Sequence, residues 1–590
     1  MIYFRFREGA MEKKQLKHLI DVATGRTCAD LCITNCHIVD VFNREVFDSD
    51  VYIANGHIAS FAHPNLPAAK ETIDAGGRYL VPGFIDAHLH IESSHVSPAE
   101  YARLVVPCGT TTVIADPHEI VNVCGLDGFD YMLQASEDLP LSVFLQIPSC
   151  VPCTPFENSG AVLGADGIEK RIDHPRVLGL GEMMDFVGVC RAEDEVLDKI
   201  MVAKSRGKII DGHYLGFPQS LDAYCAAGIS NDHECSTAAD LRRRIKRGMY
   251  VLLRQGTACH DLLNLLEGID SKNADRCLMC TDDCAAKTIL EIGHIDNNVR
   301  MAIGAGLDPI TAISMATINA ANCYGLHDRG AIAPGRRADF LLLSSLDEHF
   351  TVEQVYCAGT LTASDKRYLP EVTHTSADKV SGRMNVKNFS AKRLEMKLKD
   401  PHVRVMLITP GSVVTDICEA VVDLDENGIW HRNAEDIIKI AVVERHHGTG
   451  NVGIGLIKGF ALQGGAIATS IAHDSHNIIV IGDNDDDMAL AVSELIRLGG
   501  GMSVVKGGRV IESIQHEIAG LMTDLPGEVV AEKLVSIIET AQRELHLAGG
   551  VDPFMTLCFM SLVVIPKLKI TDLGLFDLAK YGFVPLEMTE

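Results

Sequence analysis

Between residues 80 and 283 the chain alternates eight short β-rich runs with longer segments that are mostly helical in character. Near-continuous apolar runs are typical of parallel strands that are covered on both faces. Eight such strands with intervening helices over about 250 residues predict an α/β fold, a TIM-like (β/α)8 barrel. The predicted strands lie in YLVPGFIDA, TTVIAD, LSVFLQIPS, VLGLGEM, KIIDGH, GISNDHE, YVLLRQG and CLMCTDD.

Almost every predicted strand ends in residues that can bind a metal ion or transfer a proton. The carboxyl ends of the strands of such a barrel form one rim, and the rim carries the active site. We therefore expect these side chains to meet at one place. They are His88, His90, Asp116, His118, Glu119, Glu182, His213, His233, Arg254 and Asp282.

His88 and His90 are two residues apart, so on a strand their side chains point to the same face. With the histidines of strands five and six, and with Glu182 and Asp282, they make a ligand set for two divalent metal ions. Imidazole and carboxylate together suit zinc, iron or manganese, and no thiolate is needed. The predicted ligands are His88, His90, Glu182, His213, His233 and Asp282.

A carboxylate shared by two ions holds them about 3.5 to 4 Å apart, and Glu182 is the candidate for this place. Asp282 is expected to bind one metal ion and to carry a proton from the attacking water to the leaving group. For Asp283 a role at the site and a capping role remain open. Glu92 is expected either to orient a ligand histidine or to cap the next helix.

The flanks of the predicted barrel have a different character, with short β-rich segments and turn signals such as Asn55-Gly56. We expect both flanks to form one β-sandwich domain, followed by a C-terminal α+β domain. The expected boundaries are 1–26 for an N-terminal helical extension, 27–82 and 331–370 for the sandwich, 83–330 for the barrel, 371–400 for a linker and 401–590 for the C-terminal domain.

Composition limits the partners and the location. A net charge of -26 argues against nucleic acid and anionic lipid as partners, because those surfaces repel an acidic protein. The alternating charges of the first residues do not resemble a secretory signal, and the apolar runs are too short to span a membrane. Met11 is a second candidate start. With 18 cysteines dispersed along 590 residues, we expect a cytoplasmic protein without a disulfide framework.

VPGFIDAHLHIESS, DPHEIVNVCG, GEMMD, DGH, CTDD, IAPGRRADFLLL and SIAHDSHNIIVIG together resemble the bacterial adenine deaminases of the amidohydrolase superfamily. The resemblance extends over nearly the whole chain. It implies a barrel with a β-sandwich, a binuclear metal centre and purine salvage by hydrolysis of adenine to hypoxanthine and ammonia. A metal-bridging hydroxide would attack C6 of adenine, and Asp282 would transfer the proton. Manganese is the expected metal, with iron or zinc as alternatives, and the family implies a homodimer.

Further residues are expected to contact the adenine. Glu119 and His118 lie where the ring nitrogens need a proton donor as charge develops on them. Arg254 and Asp116 are further candidates for substrate binding. His473, with Asp474 and His476 in the same loop, is expected to approach the barrel mouth and help to close it over the substrate. A cluster that serves only the C-terminal domain is the alternative.

Several other motifs are weaker. His90 and Glu92 with Cys150 and Cys153 imitate another zinc signature, but Pro148 does not directly precede the first cysteine. GTGNVG precedes a strand-like segment where a dinucleotide site needs a helix. DNDDDMALAVSE lacks the glycine of a calcium loop and fits a helix start better.

Two other functions remain open. A cyclic amide hydrolase of the dihydroorotase or allantoinase type would use the same metal ions and the same Asp282. A silent member that acts as a metal-dependent binding or assembly protein is the other alternative, although it would not need to keep a proton-transferring residue.

Overall fold

The computed structural model describes residues 11–409, 413–432, 436–548 and 552–588. The choice between Met1 and Met11 depends on residues that lie outside the described ones. The N-terminal part contains one helix, in the segment expected to be a helical extension, and five strands. They are α1 (Lys13–Ala23), β1 (Leu31–Asp40), β2 (Glu45–Asp48), β3 (Val51–Ala54), β4 (His57–Phe61) and β5 (Glu71–Pro82).

Each of the eight predicted runs contains a strand. The first run is divided, because its beginning belongs to β5 and only its end forms the first strand of a parallel sheet. The division falls at Gly83, where a β-carbon would lie 2.2 Å from the Thr111 hydroxyl. The strands are β6 (Phe84–Leu89), β7 (Thr110–Ala115), β8 (Ser142–Ile147), β9 (Val177–Met183), β10 (Ile209–Gly212), β11 (Asn231–Asp232), β12 (Tyr250–Arg254) and β13 (Cys277–Cys280).

These strands form two parallel sheets, β6 to β10 and β11 to β13. The sheets approach each other at both edges. Ser230 N donates to Ile210 O at 3.1 Å between β10 and β11. On the other side, Asp282 N donates to His88 O at 3.0 Å and His90 N donates to Asp282 O at 3.2 Å. The parallel sheet is therefore curled, and two predicted ligand strands are hydrogen-bonded to each other.

Helices cover the outside of this curled sheet. Several begin at a side-chain cap, such as Asp185 before α6 and Thr237 before α9. They are α2 (Pro98–Val105), α3 (His118–Cys124), α4 (Leu126–Ala135), α5 (Ala165–Glu169), α6 (Phe186–Arg191), α7 (Asp194–Ser205), α8 (Leu221–Ala226), α9 (Ala238–Ile245), α10 (Leu262–Leu266), α11 (Ala286–Ile292), α12 (Ile295–Gly304), α13 (Pro309–Met315) and α14 (Ile318–Cys323).

The chain then returns to the N-terminal strands through β14 (Phe340–Leu343), β15 (Val352–Cys357), β16 (Thr360–Ser364) and β17 (Arg367–Tyr368). β14 pairs with β5, so one nine-stranded sheet contains strands from both flanks. Its apolar residues, among them Ile33, Ile38, Phe340 and Tyr356, pack into a core separate from that of the parallel sheet.

Residues 371–400 contain little regular structure, yet Val380, Leu394 and Leu398 are buried. The C-terminal part is an eight-stranded sheet with helices and two small sheets beside it. Its elements are β18 (His402–Ile408), β19 (Thr415–Val421), β20 (Asp423–Leu424), β21 (Trp430–His431), β22 (Ile437–Val443), β23 (Val452–Lys458), β24 (Gly465–Thr469), β25 (Ile478–Gly482), α15 (Asp485–Leu498), β26 (Gly501–Lys506), β27 (Arg509–Gln515), α16 (Gly527–Leu545), α17 (Pro553–Cys558), β28 (Leu568–Thr571), β29 (Gly574–Asp577) and β30 (Gly582–Phe583).

Two of the weaker motifs lie in this C-terminal part. GTGNVG leads into β23, and no helix follows it. The acidic DNDDDM segment starts α15, where the side chain of Asn484 accepts a hydrogen bond from Asp487 N. None of the helices in the described part of the chain has both the length and the apolar character needed to cross a bilayer.

Candidate metal centre and active site

The strand ends bring the six predicted ligands into one buried cluster around Glu182. Its Oε2 lies 2.9 Å from His213 Nδ1 and 3.1 Å from His233 Nε2. Its Oε1 lies 3.5 Å from His90 Nε2, and His88 Nε2 is 3.9 Å from Oε2. Glu182 therefore contacts all four histidines.

Asp282 closes the cluster on the other side. Its Oδ1 lies 3.4 Å from His88 Nε2 and 3.3 Å from His90 Nε2. The residue has a φ of 58°, a left-handed conformation that costs energy for a residue with a side chain. The backbone hydrogen bonds to His88 and His90 hold this conformation, which is common at functional sites.

The donor chemistry of the cluster fits divalent cations. Ligand atoms of His88, His90 and Glu182 lie close enough to share one ion, and so do those of Glu182, His213 and His233. His88 Nε2 and His213 Nε2 are buried without a hydrogen-bond partner among the described residues. Glu182 belongs to both groups, as a carboxylate between two ions would.

Hydrogen bonding and burial also prepare individual histidines for this role. His90 Nδ1 lies 2.8 Å from the carbonyl oxygen of Asp116, so it carries the proton and leaves the lone pair of Nε2 free. Burial lowers the pKa of His88 to about 4, which keeps its imidazole neutral. Neutral imidazoles with a free nitrogen are the form that binds metal ions.

Opposite charges dominate the electrostatics of the cluster. Burial disfavours charge on His90 and on His233. The contact with Asp282 nevertheless raises the pKa of His90 well above its usual value. Asp282 and Glu182 together raise the pKa of His233 in the same way. Burial also opposes the charge of Glu182 and Asp282, yet the surrounding histidines lower the pKa of both carboxyls. Two ionised carboxylates thus lie in a buried site where a cation can replace the protons on the imidazoles.

The cluster lies on the wall of a cavity of about 550 Å³. Apolar residues of the C-terminal part also line this cavity. They are Val413, Val414, Phe559, Leu562, Ile565 and Pro566. The volume falls within the range of about 300 to 1,000 Å³ that is usual for small-molecule sites.

The predicted substrate residues Arg254 and Asp116 have different positions. Arg254 lines the cavity, and its guanidinium contacts three carboxylates, those of Glu234, Asp261 and Asp282. Asp116 lies behind Glu182, where its Oδ2 accepts a hydrogen bond from the Glu182 backbone N at 2.8 Å. Its carboxylate therefore supports Glu182 from behind.

Sequence reasoning missed Glu234. Its Oε1 lies 3.5 Å from His213 Nδ1 and 3.4 Å from His233 Nε2, and it pairs with Arg254. The available signal was its position next to His233 at the end of a strand. The apolar wall had no such signal, because the segment around Phe559 is remote from the barrel in sequence.

The C-terminal loop 470–477, which connects β24 to β25, reaches this cavity. His473 Nδ1 lies 3.0 Å from Glu119 Oε1, and His473 and Asp474 both line the cavity. Asp474 Oδ1 lies 3.7 Å from His118 Nε2. The loop thus contacts both residues of the barrel segment predicted to bind the adenine ring.

Three residues discussed with the weaker motifs are buried in the structure. Cys150 and Cys153 are buried, and neither belongs to a candidate metal-binding group within the described residues. Glu92 was expected to orient a ligand or to cap the next helix. Its Oε1 instead accepts a hydrogen bond at 3.2 Å from Ile120 N in the first turn of α3.

Asp283, whose role was open, accepts a hydrogen bond from Ser93 Oγ. This contact connects the segment after β13 to the one after β6. Asp283 also lines the cavity, beside the ligand cluster.

Two family models match the chain, the amidohydrolase family over residues 79–362 and the adenine deaminase C-terminal domain over residues 412–581. Adenine deaminase 2 of Desulfotalea psychrophila is 51% identical over 98% of this chain and 100% of that protein. An adenine deaminase of Nitratidesulfovibrio vulgaris is 49% identical over 96% and 98%. That of Ligilactobacillus salivarius is 47% identical over 98% and 100%.

Proposed function

Because the chain belongs to the adenine deaminase family of amidohydrolases, we propose that it hydrolyses adenine to hypoxanthine and ammonia, a reaction of purine salvage. One observation of the structure carries this proposal. A single buried carboxylate, Glu182, is shared by the candidate metal-binding group of His88 and His90 and by that of His213 and His233, on the wall of a cavity large enough for a small heterocycle.

Two divalent metal ions are the proposed cofactors, in agreement with a metal-dependent family. His88, His90, His213, His233 and Asp282 would hold them, with Glu182 between the two. When bound, such ions supply Lewis acidity, which makes an attacking water more acidic and stabilises negative charge in the transition state. We propose manganese as the physiological metal, with iron or zinc as alternatives.

Asp282 is the proposed proton carrier. In the overall reaction, a water oxygen bonds to C6 of adenine, the bond from C6 to the exocyclic nitrogen breaks, and that nitrogen leaves as ammonia. The attacking water loses two protons, one of which goes to this leaving nitrogen and the other to ring nitrogen N1 of the hypoxanthine product. The carboxylate of Asp282 lies within the cluster and on the cavity wall, so it can take the first of these protons and deliver it.

Glu119 and His118 are the proposed contacts to the purine ring, with His473 and Arg254 as further contributors to its binding. Asp116, which lies behind Glu182, would contribute only through Glu182. Burial opposes the charge of Glu119, but His473 lowers its pKa well below the usual value. Glu119 is therefore an ionised acceptor, suited to receive a hydrogen bond from a ring N–H rather than to donate one.

The finer architecture is also part of the proposal. The two parallel sheets would form one eight-stranded (β/α)8 barrel over residues 83–330. The nine-stranded sheet would form a β-sandwich from residues 27–82 and 331–370, and residues 401–590 an α+β domain. Hydrogen bonds at both edges of the parallel sheets support the closed barrel.

Location and assembly are proposed on general grounds. All described cysteines are free thiols, which supports the reducing cytoplasm. A homodimer is proposed because two-fold assemblies are the commonest oligomers. Light scattering on the purified protein would test the dimer.

The direct test uses protein loaded separately with manganese, iron or zinc and measures ammonia release from adenine and adenosine. Ring opening of dihydroorotate releases no ammonia, so its turnover is measured separately by the appearance of the ring-opened carbamoyl product. We expect turnover of free adenine that is lost in Glu182→Gln. If no metal supports turnover of adenine and the protein turns over dihydroorotate, the function would be that of a cyclic amide hydrolase.

A further inference from the structure

The segment after β7 and the C-terminal loop 470–477 meet through two histidine–carboxylate pairs. In each pair, the histidine belongs to one segment and the carboxylate to the other. On the barrel side a histidine precedes a carboxylate, His118 and Glu119. On the loop side the order is the same, His473 and Asp474. Each imidazole faces the carboxylate of the other segment, at 3.7 Å for His118 and Asp474 and 3.0 Å for His473 and Glu119.

The first pair leads directly to the metal centre. His118 Nδ1 lies 3.3 Å from Glu182 Oε1, while its Nε2 faces Asp474 Oδ1. The His118 ring also lies edge-on to that of His90, with ring centroids 4.5 Å apart. The imidazole of His118 is thus placed between the central carboxylate of the cluster and one carboxylate of the C-terminal part.

The backbone on both sides of Asp474 is held by hydrogen bonds. The neighbours of Asp474 in the loop are bonded on several sides, because His473 N donates to Cys558 O at 2.9 Å and Ser475 O lies 2.7 Å from His446 Nε2. Asn477 Nδ2 donates to Asn158 O at 2.8 Å. The fully buried guanidinium of Arg445 donates to His476 O. A carboxylate on such a loop can set the orientation of a partner ring.

A third metal ion is a competing account of this loop, because Glu119, His473 and His476 also lie close together. The hydrogen bonding of His476 argues against it. Its Nδ1 accepts a hydrogen bond from Ala472 N at 3.2 Å, which leaves the proton on Nε2. That nitrogen lies 3.8 Å from Glu119 Oε2 and, because it carries the proton, has no lone pair for a metal ion.

We infer that Asp474 is a positioning residue of the active site, which holds the His118 ring against Glu182 and toward the substrate. The inference rests on the proposed function, since it assigns His118 to the adenine reaction. It makes the C-terminal domain a part of the catalytic unit. Residues that orient such groups from behind typically change metal affinity or activity by about 10- to 100-fold when they are lost.

A double-mutant cycle tests this inference, with wild type, Asp474→Asn, His118→Asn and the double variant in the manganese-loaded full-length protein. We expect Asp474→Asn to lower kcat on adenine about tenfold with little change in KM. In the His118→Asn background the same substitution should change kcat by less than about twofold, because Asp474 acts through His118. Asp474→Ser, which removes the carboxylate with a smaller side chain, provides a second variant should Asp474→Asn fold poorly.

Asp572→Asn is the matched control, because Asp572 also joins the C-terminal part to the part with the parallel strands. Its Oδ1 accepts a hydrogen bond from the backbone N of Asn158 at 3.0 Å. The control variant should keep wild-type kcat. Equal effects of Asp474→Asn in both backgrounds, or the same loss in Asp572→Asn, would overturn the inference in favour of a general loosening of the interface.

The failure of the proposed function has a separate signature. If the wild-type protein does not turn over adenine, the deaminase proposal is rejected. The four proteins of the double-mutant cycle are then compared by their Kd for Mn²⁺. Because His118 lies against Glu182, Asp474→Asn should weaken Mn²⁺ binding in the wild-type background only. An equal change in both backgrounds, or none, would reject the positioning role.

Discussion

The carboxylate of Glu119 lies 3.0 Å from the Nδ1 of His473, and this contact joins the rim of the curled parallel sheet to a loop of the C-terminal part. Both residues are buried. Burial disfavours charge on His473, but Glu119 raises the pKa of its imidazole well above the usual value. The pair therefore brings two compensating charges to the wall of the candidate active site.

Replacing His473 with alanine should leave Glu119 as an unpaired buried charge beside the substrate. We expect kcat/KM on adenine to fall by about 10- to 100-fold, which corresponds to about 1.4 to 2.7 kcal/mol and matches the loss of a hydrogen bond to a charged group. The metal content should stay at the wild-type level. Steady-state kinetics with metal analysis by mass spectrometry would measure both, and unchanged turnover would reject a role of His473 at the site.

Glu182→Gln should remove one negative charge from the centre of the ligand cluster while keeping the side-chain shape. We expect bound manganese to fall below two ions per chain and adenine turnover to fall by at least about 100-fold, since one carboxylate serves both metal-binding groups. Glu544→Gln on α16 is the control, and its manganese content and its adenine turnover should equal those of the wild type. Full metal content in Glu182→Gln would contradict the shared position.

Gly181→Ala should disturb the same site indirectly. A β-carbon at this position would lie 2.1 Å from Asp116 Oδ2, the oxygen that accepts the hydrogen bond from Glu182 N. We expect loss of metal and of activity in a folded protein. Gly164→Ala, where a β-carbon has no heavy atom within 4 Å, should behave as wild type. An active, metal-replete Gly181→Ala would show that Asp116 is not needed behind Glu182.

Lys569 gives a prediction of pH dependence. Burial lowers the pKa of its amine from 10.5 to about 7, and the amine donates to Val413 O and Phe559 O on the segments that cover the cavity. Between pH 7 and about 10 the unfolded chain binds a proton that the folded chain does not. Stability should therefore rise with pH across this window and be lost as the pH falls toward 7, by about 1.4 kcal/mol per pH unit.

Lys569→Met removes this titration. Melting temperatures of wild type and Lys569→Met are measured in parallel from pH 7 to pH 10. We expect the melting temperature of the wild type minus that of the variant to increase as the pH rises. A difference that stays constant with pH would show that Lys569 is charged in the folded protein throughout this range.

Removal of the metal should destabilise the protein. A ligand at about 100 times its Kd stabilises the folded state by about 2.7 kcal/mol, so a chelator should lower the melting temperature and added manganese should restore it. The Asp282→Asn variant should show a smaller shift on adding manganese, because it has one anionic ligand less. Equal melting curves with and without chelator would argue against metal ions in this cluster.

Much of the candidate site is predictable from the sequence because it depends on local pattern. Near-continuous apolar runs mark buried parallel strands, and the residue that ends such a strand lies at one edge of the sheet. This reasoning selects His88, His90, Glu182, His213, His233 and Asp282, which the structure brings into one cluster. The homologues of known name support the adenine reaction independently.

The sequence by itself thus determined the eight strand segments of the parallel unit and the residue types at their ends, since period and spacing are local properties of a chain. Only the tertiary structure decided that Asp116 supports Glu182 from behind, that Glu234 enters the cluster, and that Asp474 faces His118. Contacts between segments so far apart depend on how whole layers pack. The sequence suggested that the loop of His473 approaches the site, but packing leaves no periodic signal in either segment, so the pairing of Asp474 with His118 could not be deduced from the residues alone.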